Sequence, residues 1–296
     1  MPKYKVLVAQ FPYGSVTHID AAKYVSALVC EMRSDPDIGP GGVALWDIAD
    51  TPVTMSRNRC LLVAEQAGVD YVLMIDSDMR PDLYLDGGGR PADGYEFAKP
   101  FWSEAWTFAR DHAGPCVIAA PYCGPPPEEL VYVFRWTNRQ TDDPNPNYNL
   151  AQFTRAEAVS ARGIQRVDAL PTGLMLLDMR AVQRLRHPRF YYEWIDETAS
   201  KKASTEDVTF SRDLGLAGVP LYVTWDAWAG HWKSKCVMRP KVVDADSVCT
   251  QMKSDRIVPP TAPPAAARRC PSGLTAGDNS GDPPRSVPCP TSREPS

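Results

Sequence analysis

The chain lacks most of the features that place a protein in a class at first sight. Its longest apolar runs, such as Val6-Leu7-Val8-Ala9 and Val72-Leu73-Met74-Ile75, fall far short of the roughly 20 residues a membrane-spanning helix needs. Met1 to Phe11 has two lysines but no adequate apolar stretch and no small-residue cleavage site, so it does not read as a secretion signal. None of the eight cysteines (30, 60, 116, 123, 236, 249, 270 and 289) stands in a C-x-x-C pair. That argues against a zinc ribbon or redox dithiol, and for free thiols in a reducing cytoplasm. A basic excess is missing too: 32 Lys and Arg against 36 Asp and Glu give a formal charge of −4. That argues against grip on nucleic acid by bulk positive charge alone and leaves room for a local basic patch.

What is present is an ordinary globular composition, 44% hydrophobic and 23% charged over 296 residues. That is enough chain for a substantial core in one large domain or two smaller ones. The composition changes near residue 257. The last forty residues hold ten prolines, three glycines and no aromatic, too little apolar surface to offset the entropy of ordering. The expectation is one domain over 1–256 and a disordered, proline-rich tail over 257–296.

Within the first part, strand and helix signals alternate, which predicts an α/β fold. Strands are expected over 4–11, 43–48, 71–75, 117–121, 130–136, 165–170 and 174–177, with 221–225 the last. The run at 71–75, apolar throughout, is expected to be central. Helices are expected over 19–32, 55–67, 100–112, 180–185 and 206–216. Thr54 or Ser56 is expected to cap the second, Asp178 to cap the fourth, and Gly68 and Gly218 to close two of them. A loop is expected over 141–149.

Four short features could carry chemistry. Asp76-Ser77-Asp78 directly follows the central strand, and ligands of open α/β sheets bind beyond the carboxyl ends of strands. Two carboxylates there can turn toward Mg²⁺ or Mn²⁺; a solvated polar turn is the plainer alternative. Thr172-Gly173 lies between two strands, where a missing side chain either admits a ligand to the backbone or makes a simple turn. Thr205-Glu206-Asp207 opens a helix, where acids are favoured electrostatically and also cap. His231 follows the last expected strand as a metal ligand or a structural histidine.

In this order the four features resemble the motifs of the glycosyltransferase-A (GT-A) superfamily: Asp76-Ser77-Asp78, Thr172-Gly173-Leu174-Met175, Thr205-Glu206-Asp207 and His231. Ser56-Arg57-Asn58 is similar to the Ala/Ser-Arg-Asn stretch of compact members. The resemblance covers roughly residues 3–235. It implies a Rossmann-like mixed sheet flanked by helices and a nucleotide-sugar donor, a UDP-sugar in the first instance. It also implies a divalent cation, manganese or magnesium, held by Asp76, Asp78 and His231. That cation would neutralise charge growing on the leaving diphosphate. Gln10, Phe11 and Tyr13 would then line the base pocket, with Arg57, Asn58 and Ser77 on the donor side. Asp207 would be the general base if configuration inverts, with Glu206 beside it and Thr172, Gly173, Trp228 and Trp232 facing the acceptor.

Basic residues flank these motifs (Arg186, His187, Arg189, Lys201, Lys202, Lys233, Lys235, Arg239 and Lys241), with Trp194, Trp225, Trp228 and Trp232 among them. Charge beside aromatic faces suits a nucleic-acid acceptor; an ordinary solvated rim is the alternative. The stretches 206–213 and 225–232 resemble small phage-type members, the TET-associated group linked to DNA hypermodification. That resemblance makes hydroxymethylated cytosine in DNA the leading acceptor, ahead of a carbohydrate or small alcohol. Two rivals remain. A sugar-nucleotide pyrophosphorylase would carry a glycine-rich basic loop where residues 9–15 read Ala-Gln-Phe-Pro-Tyr-Gly-Ser. A non-catalytic binding module would not need the metal ligands and Asp207 to converge.

Overall fold

The computed structural model describes residues 2–12, 17–49, 52–137, 150–195, 197–198, 202–233, 236–238 and 252–253, all within the compact unit Met1–Asp255. The segment 257–296 and the loop expected over 141–149 lie outside the described residues, as does Tyr13.

The first part of the chain is a strand-helix repeat: β1 (Val6–Phe11), α1 (Ile19–Ser34), β2 (Val43–Asp47), α2 (Val53–Gln66) and β3 (Tyr71–Asp76). It continues with β4 (Met79–Arg80), α3 (Phe101–Asp111), β5 (Val117–Ala119), β6 (Phe134–Trp136), β7 (Leu150–Gln152), α4 (Arg155–Ser160) and β8 (Ile164–Val167). Then come β9 (Leu174–Asp178), α5 (Met179–Val182), β10 (Glu193–Trp194), β11 (Lys202–Ser204), α6 (Glu206–Leu216) and β12 (Leu221–Thr224). Three short strands close the described chain: β13 (Gly230–Lys233), β14 (Cys236–Met238) and β15 (Met252–Lys253).

Seven strands form the main sheet in the order β2-β1-β3-β9-β5-β12-β8. β1 is parallel to β2 and β3, β12 is parallel to β5, and β9 and β8 run antiparallel to their neighbours. The fold is thus α/β with a mixed sheet flanked by helices, as expected. Side chains alternate across a strand, and the two faces sort accordingly. Leu7, Ala9, Phe11, Val72 and Met74 pack with Cys60, Leu61 and Ala64 of α2 and Phe210 and Leu214 of α6. Val6, Val8, Leu73 and Ile75 pack with Val25, Leu28 and Met32 of α1 and Phe101, Ala105 and Trp106 of α3. Because β3 is covered on both faces it reads as an unbroken apolar run. Truncating Leu73, fully buried, to alanine would cost about 2–5 kcal/mol.

Several local expectations hold. Asp178 caps α5, accepting the Arg180 N–H at 2.8 Å, and Gly68 and Gly218 close α2 and α6 with φ of +62° and +72°. Others are corrected. The N-cap of α2 is Pro52, without a side-chain bond, and Thr54 and Ser56 lie buried in the first turn instead. Residues 221–224 are not the last strand, since β13, β14 and β15 join β4 in a second sheet. That sheet brings residue 231 back beside the end of β3. Among the described residues, no helix is long and apolar enough to cross a membrane. Cys30, Cys60, Cys116 and Cys123 are free thiols.

Candidate active site

β1 and β3 end side by side, with Phe11 paired to Asp76. β9 arrives antiparallel, and the Gly173 carbonyl accepts the Asp76 N–H at 2.8 Å. The motifs therefore meet at the carboxyl end of the central strands, the usual ligand position in open α/β sheets.

Arg57 organises one half of this region. Its Nη2 donates to both oxygens of Asp76 at 3.0 and 2.9 Å, and its Nη1 donates to Glu206 Oε1 at 3.0 Å. The guanidinium is 3% exposed and lies 5.8 Å from the Phe11 ring and 5.6 Å from the Phe190 ring. Burial alone would lower its pKa; Asp76 and Glu206 overcome that and raise it. So deep a cation needs carboxylate partners. Of the expected donor-side and catalytic residues, Arg57 is thus engaged by two protein carboxylates, and Glu206 gives one of its oxygens to Arg57. Burial likewise lifts the Asp76 carboxyl above its ordinary range, with Arg57 opposing and Asp78 adding to the shift.

The other half is a pair. His231 Nε2 lies 3.0 Å from Asp78 Oδ2, although 153 residues separate them. Strand pairing achieves this: β13 runs antiparallel to β4, with His231 opposite Met79, and the Trp232 N–H donates to the Asp78 carbonyl at 2.7 Å. The other ring nitrogen, Nδ1, is buried without a hydrogen-bond partner among the described residues. Among the described residues no three His, Cys, Asp or Glu side chains stand together as a metal cage. Of the three expected ligands, Asp78 and His231 touch, while Asp76 is held by the buried Arg57. A carboxylate oxygen and an imidazole nitrogen in contact, with a second carboxylate on the same turn, still suit Mn²⁺ or Mg²⁺ as a donor set.

Asp207 lies in the first turn of α6. Its Oδ1 accepts from the Thr205 hydroxyl and, at 2.9 Å, from the Val208 N–H; the other oxygen has no bond to a described residue. Burial raises its pKa, and Glu206 pushes the same way while the Thr205 hydroxyl opposes. Tyr122, which sequence reading missed, links the two halves. Its phenol is held protonated by burial and then by the negative charges of Asp76 and Asp207, with Asp78 contributing. Its ring meets His231 edge-on at 5.0 Å. The one available signal was its place just past the carboxyl end of β5.

Other candidates fall elsewhere. A Cβ on Gly173 would meet Met79 Sδ at 2.8 Å and the Tyr122 hydroxyl at 3.0 Å, so that space holds protein and not a ligand. Thr172 beside it is buried. Asn58 donates to the carbonyls of Thr54 and Phe190 and accepts from the N–H groups of Arg189 and Phe190, all within 2.9 ± 0.2 Å. That exhausts its amide, which leaves none of it for the donor-side contact expected of it. Phe11 packs in the core against Arg57 and offers no stacking face. Gln10 is buried with Nε2 unpartnered, and the Ser77 carbonyl accepts from the His18 N–H. Trp228 is 1% exposed in the core, which corrects its acceptor-side placement. Trp232 stacks on His18. Of the expected basic and aromatic rim, Arg189 is buried against Glu65 and Trp225 is in the core. Arg186, His187, Trp194 and Lys202 are exposed, and Lys201, Lys235, Arg239 and Lys241 lie outside the described residues.

The fold and site define a mixed-sheet α/β protein with a carboxylate-histidine pair and a second buried acid at the strand ends. No protein-family profile matches the chain, and no curated protein sequence matches it. Among solved structures it is similar to a protein from STIV, with a TM-score of 0.45 and 15% identity over 80% of this chain and 90% of that one. It is similar to UDP-glucose pyrophosphorylase complexed with UDP-glucose, with a TM-score of 0.39 and 8% identity over 77% and 92%. It is also similar to GalNAc-T7 with UDP, GalNAc and Mn²⁺, with a TM-score of 0.37 and 10% identity over 77% of this chain and 44% of that one. Likeness at this level assigns no substrate to the present chain.

Proposed function

We infer that the protein is a GT-A-type glycosyltransferase that moves a sugar from a nucleotide-sugar donor, a UDP-sugar first, to an acceptor hydroxyl. The observation that carries this reading is the contact of His231 with Asp78 across the strand ends, in a region that also holds Asp76, Tyr122 and Asp207. Asp78 and His231 would hold a divalent cation, which would neutralise charge developing on the departing diphosphate. Arg57 fixes Asp76 and Glu206 so that the turn and the start of α6 keep one geometry. Asp207, with its pKa raised and one oxygen unengaged by described residues, is suited to take the acceptor proton if configuration inverts. Tyr122, kept neutral, can donate a hydrogen bond to substrate oxygen.

For the acceptor, hydroxymethylated cytosine in DNA is the first alcohol to offer. The exposed Trp194 and Lys202 support it less strongly than the wider basic and aromatic rim read from the sequence. The test is to incubate the full chain with Mn²⁺ and a panel of nucleotide sugars. Hydroxymethylated DNA, oligosaccharides and small alcohols serve as acceptors, with products read by mass spectrometry. Hexose added to one acceptor, with loss on chelation, is the expected result. Nucleoside triphosphate formed from the nucleotide sugar and pyrophosphate would instead identify a pyrophosphorylase. Nucleotide-sugar binding without turnover would identify a binding module.

A further inference from the structure

The turn Asp76-Ser77-Asp78 is gripped from both sides by groups outside the motifs. On one side His18, the N-cap of α1, donates its backbone N–H to the Ser77 carbonyl at 2.8 Å. On the other, Trp232 donates its backbone N–H to the Asp78 carbonyl at 2.7 Å. The rings of these two residues stack on each other, with centroids 4.1 Å apart and planes 23° from parallel. One carboxylate ties the stack together. Asp20 Oδ2 accepts the indole N–H of Trp232 at 3.0 Å and lies 3.9 Å from Arg80 Nε. The backbone N–H of Asp20 donates to His18 Nδ1 at 3.3 Å.

This arrangement spans three elements, α1, β4 and β13. β13 meets β4 through only two paired positions, Gly230 with Arg80 and His231 with Met79. A ladder that short is marginal without further support. Yet a cation pair needs its donors held to about 0.5 Å, and His231 and Asp78 lie on opposite sides of that ladder. We propose that Asp20 is a positioning residue: by latching Trp232 to α1 it holds Asp78 and His231 in register for a divalent cation. The functional part of this rests on the glycosyltransferase reading; the latch itself rests on the contacts alone. A carboxylate or an amide oxygen can accept the indole N–H, whereas alanine cannot.

The experiment uses the full chain with Asp20→Ala, Asp20→Asn, Trp232→Phe and the Asp20→Ala/Trp232→Phe double variant. Two quantities are read: hydrogen exchange at the backbone amides of His18 and Trp232, and affinity for Mn²⁺ alone. Asp20→Ala is expected to speed exchange at both amides and to weaken Mn²⁺ binding, each about tenfold, which is near 1.4 kcal/mol. Asp20→Asn should stay near wild type. Trp232→Phe, which keeps a ring but loses the N–H, should match Asp20→Ala, and the double variant should be no worse than either single one. Wild-type exchange and wild-type Mn²⁺ affinity in Asp20→Ala would overturn the latch, as would equal damage from Asp20→Asn. A wild-type chain that takes up no Mn²⁺ would overturn the functional reading instead, and the exchange data would then decide the latch alone.

Discussion

Asp76 and Asp78 leave the same strand two residues apart and enter different surroundings. Asp76, with a side chain 22% exposed, has both oxygens on a guanidinium that is 3% exposed. Asp78, with a side chain 40% exposed, faces an imidazole. The first is a closed ion-pair network joining β3, α2 and α6. The second is a contact between one carboxylate oxygen and one imidazole nitrogen, 3.0 Å apart. The difference teaches that two acids of one short turn need not do the same job: Asp76 anchors the turn on Arg57, and Asp78 stands at the contact with His231.

The sharpest way to break the contrast is to remove the anchor. Arg57→Met should leave Asp76 and Glu206 without their shared partner in a buried site and cost about 3–5 kcal/mol of stability, read by denaturant unfolding. Arg57→Lys should recover little of this, because an ammonium cannot bridge two carboxylates as a planar fork does. Asp78→Ala should cost less, about 1–2 kcal/mol for leaving the buried His231 without its partner, while Mn²⁺-dependent nucleotide-sugar turnover is lost. A large stability loss in Asp78→Ala would erase the distinction. Gly173 meets the turn through its carbonyl, which accepts the Asp76 N–H, and Gly173→Ala should push on Met79 and Tyr122. Overpacking of that kind costs about 1–3 kcal/mol, and turnover should fall more than melting temperature does.

A further contrast concerns Asp82, an acid with no basic partner among the described residues. Asp82 accepts the Phe101 N–H at 2.8 Å, and burial, opposed by that bond and assisted by Glu31, pushes its pKa up to about 6. A carboxyl raised in the folded state favours folding most below its unfolded pKa of 3.8, and this is lost as pH rises through about 6. Wild type should therefore lose of order 1–2 kcal/mol between pH 4 and 7 relative to Asp82→Asn. Asparagine suits the φ of +52° at this position. Parallel stability curves for the two chains would contradict the assignment. Asp76, by contrast, has Arg57 to oppose its desolvation.

Much of the framework was legible in the sequence because it depends on local pattern. β1 and β3 are apolar runs, α6 opens on two acids, and Gly68 and Gly218 stand where left-handed backbone closes a helix. The contact of Asp78 with His231 followed from a resemblance and not from spacing. What stayed hidden depends on distant partners. Arg57 finds Glu206 149 residues away, and Asn58 closes on the backbone of Arg189 and Phe190; nothing local in Ser56-Arg57-Asn58 signals either. β13 was missed because four residues reading Gly-His-Trp-Lys carry no alternation. Trp228 and Trp232 are four residues apart, yet one is core and the other a latch, since an indole serves either use and only packing decides.

Electron spin echo spectroscopy of Mn²⁺ added to the full chain tests the central claim most directly. Nitrogen modulation from one imidazole is expected in the wild type and should vanish in His231→Asn. Mn²⁺ that binds without nitrogen coupling, or with coupling unchanged in His231→Asn, would contradict a cation held by Asp78 and His231.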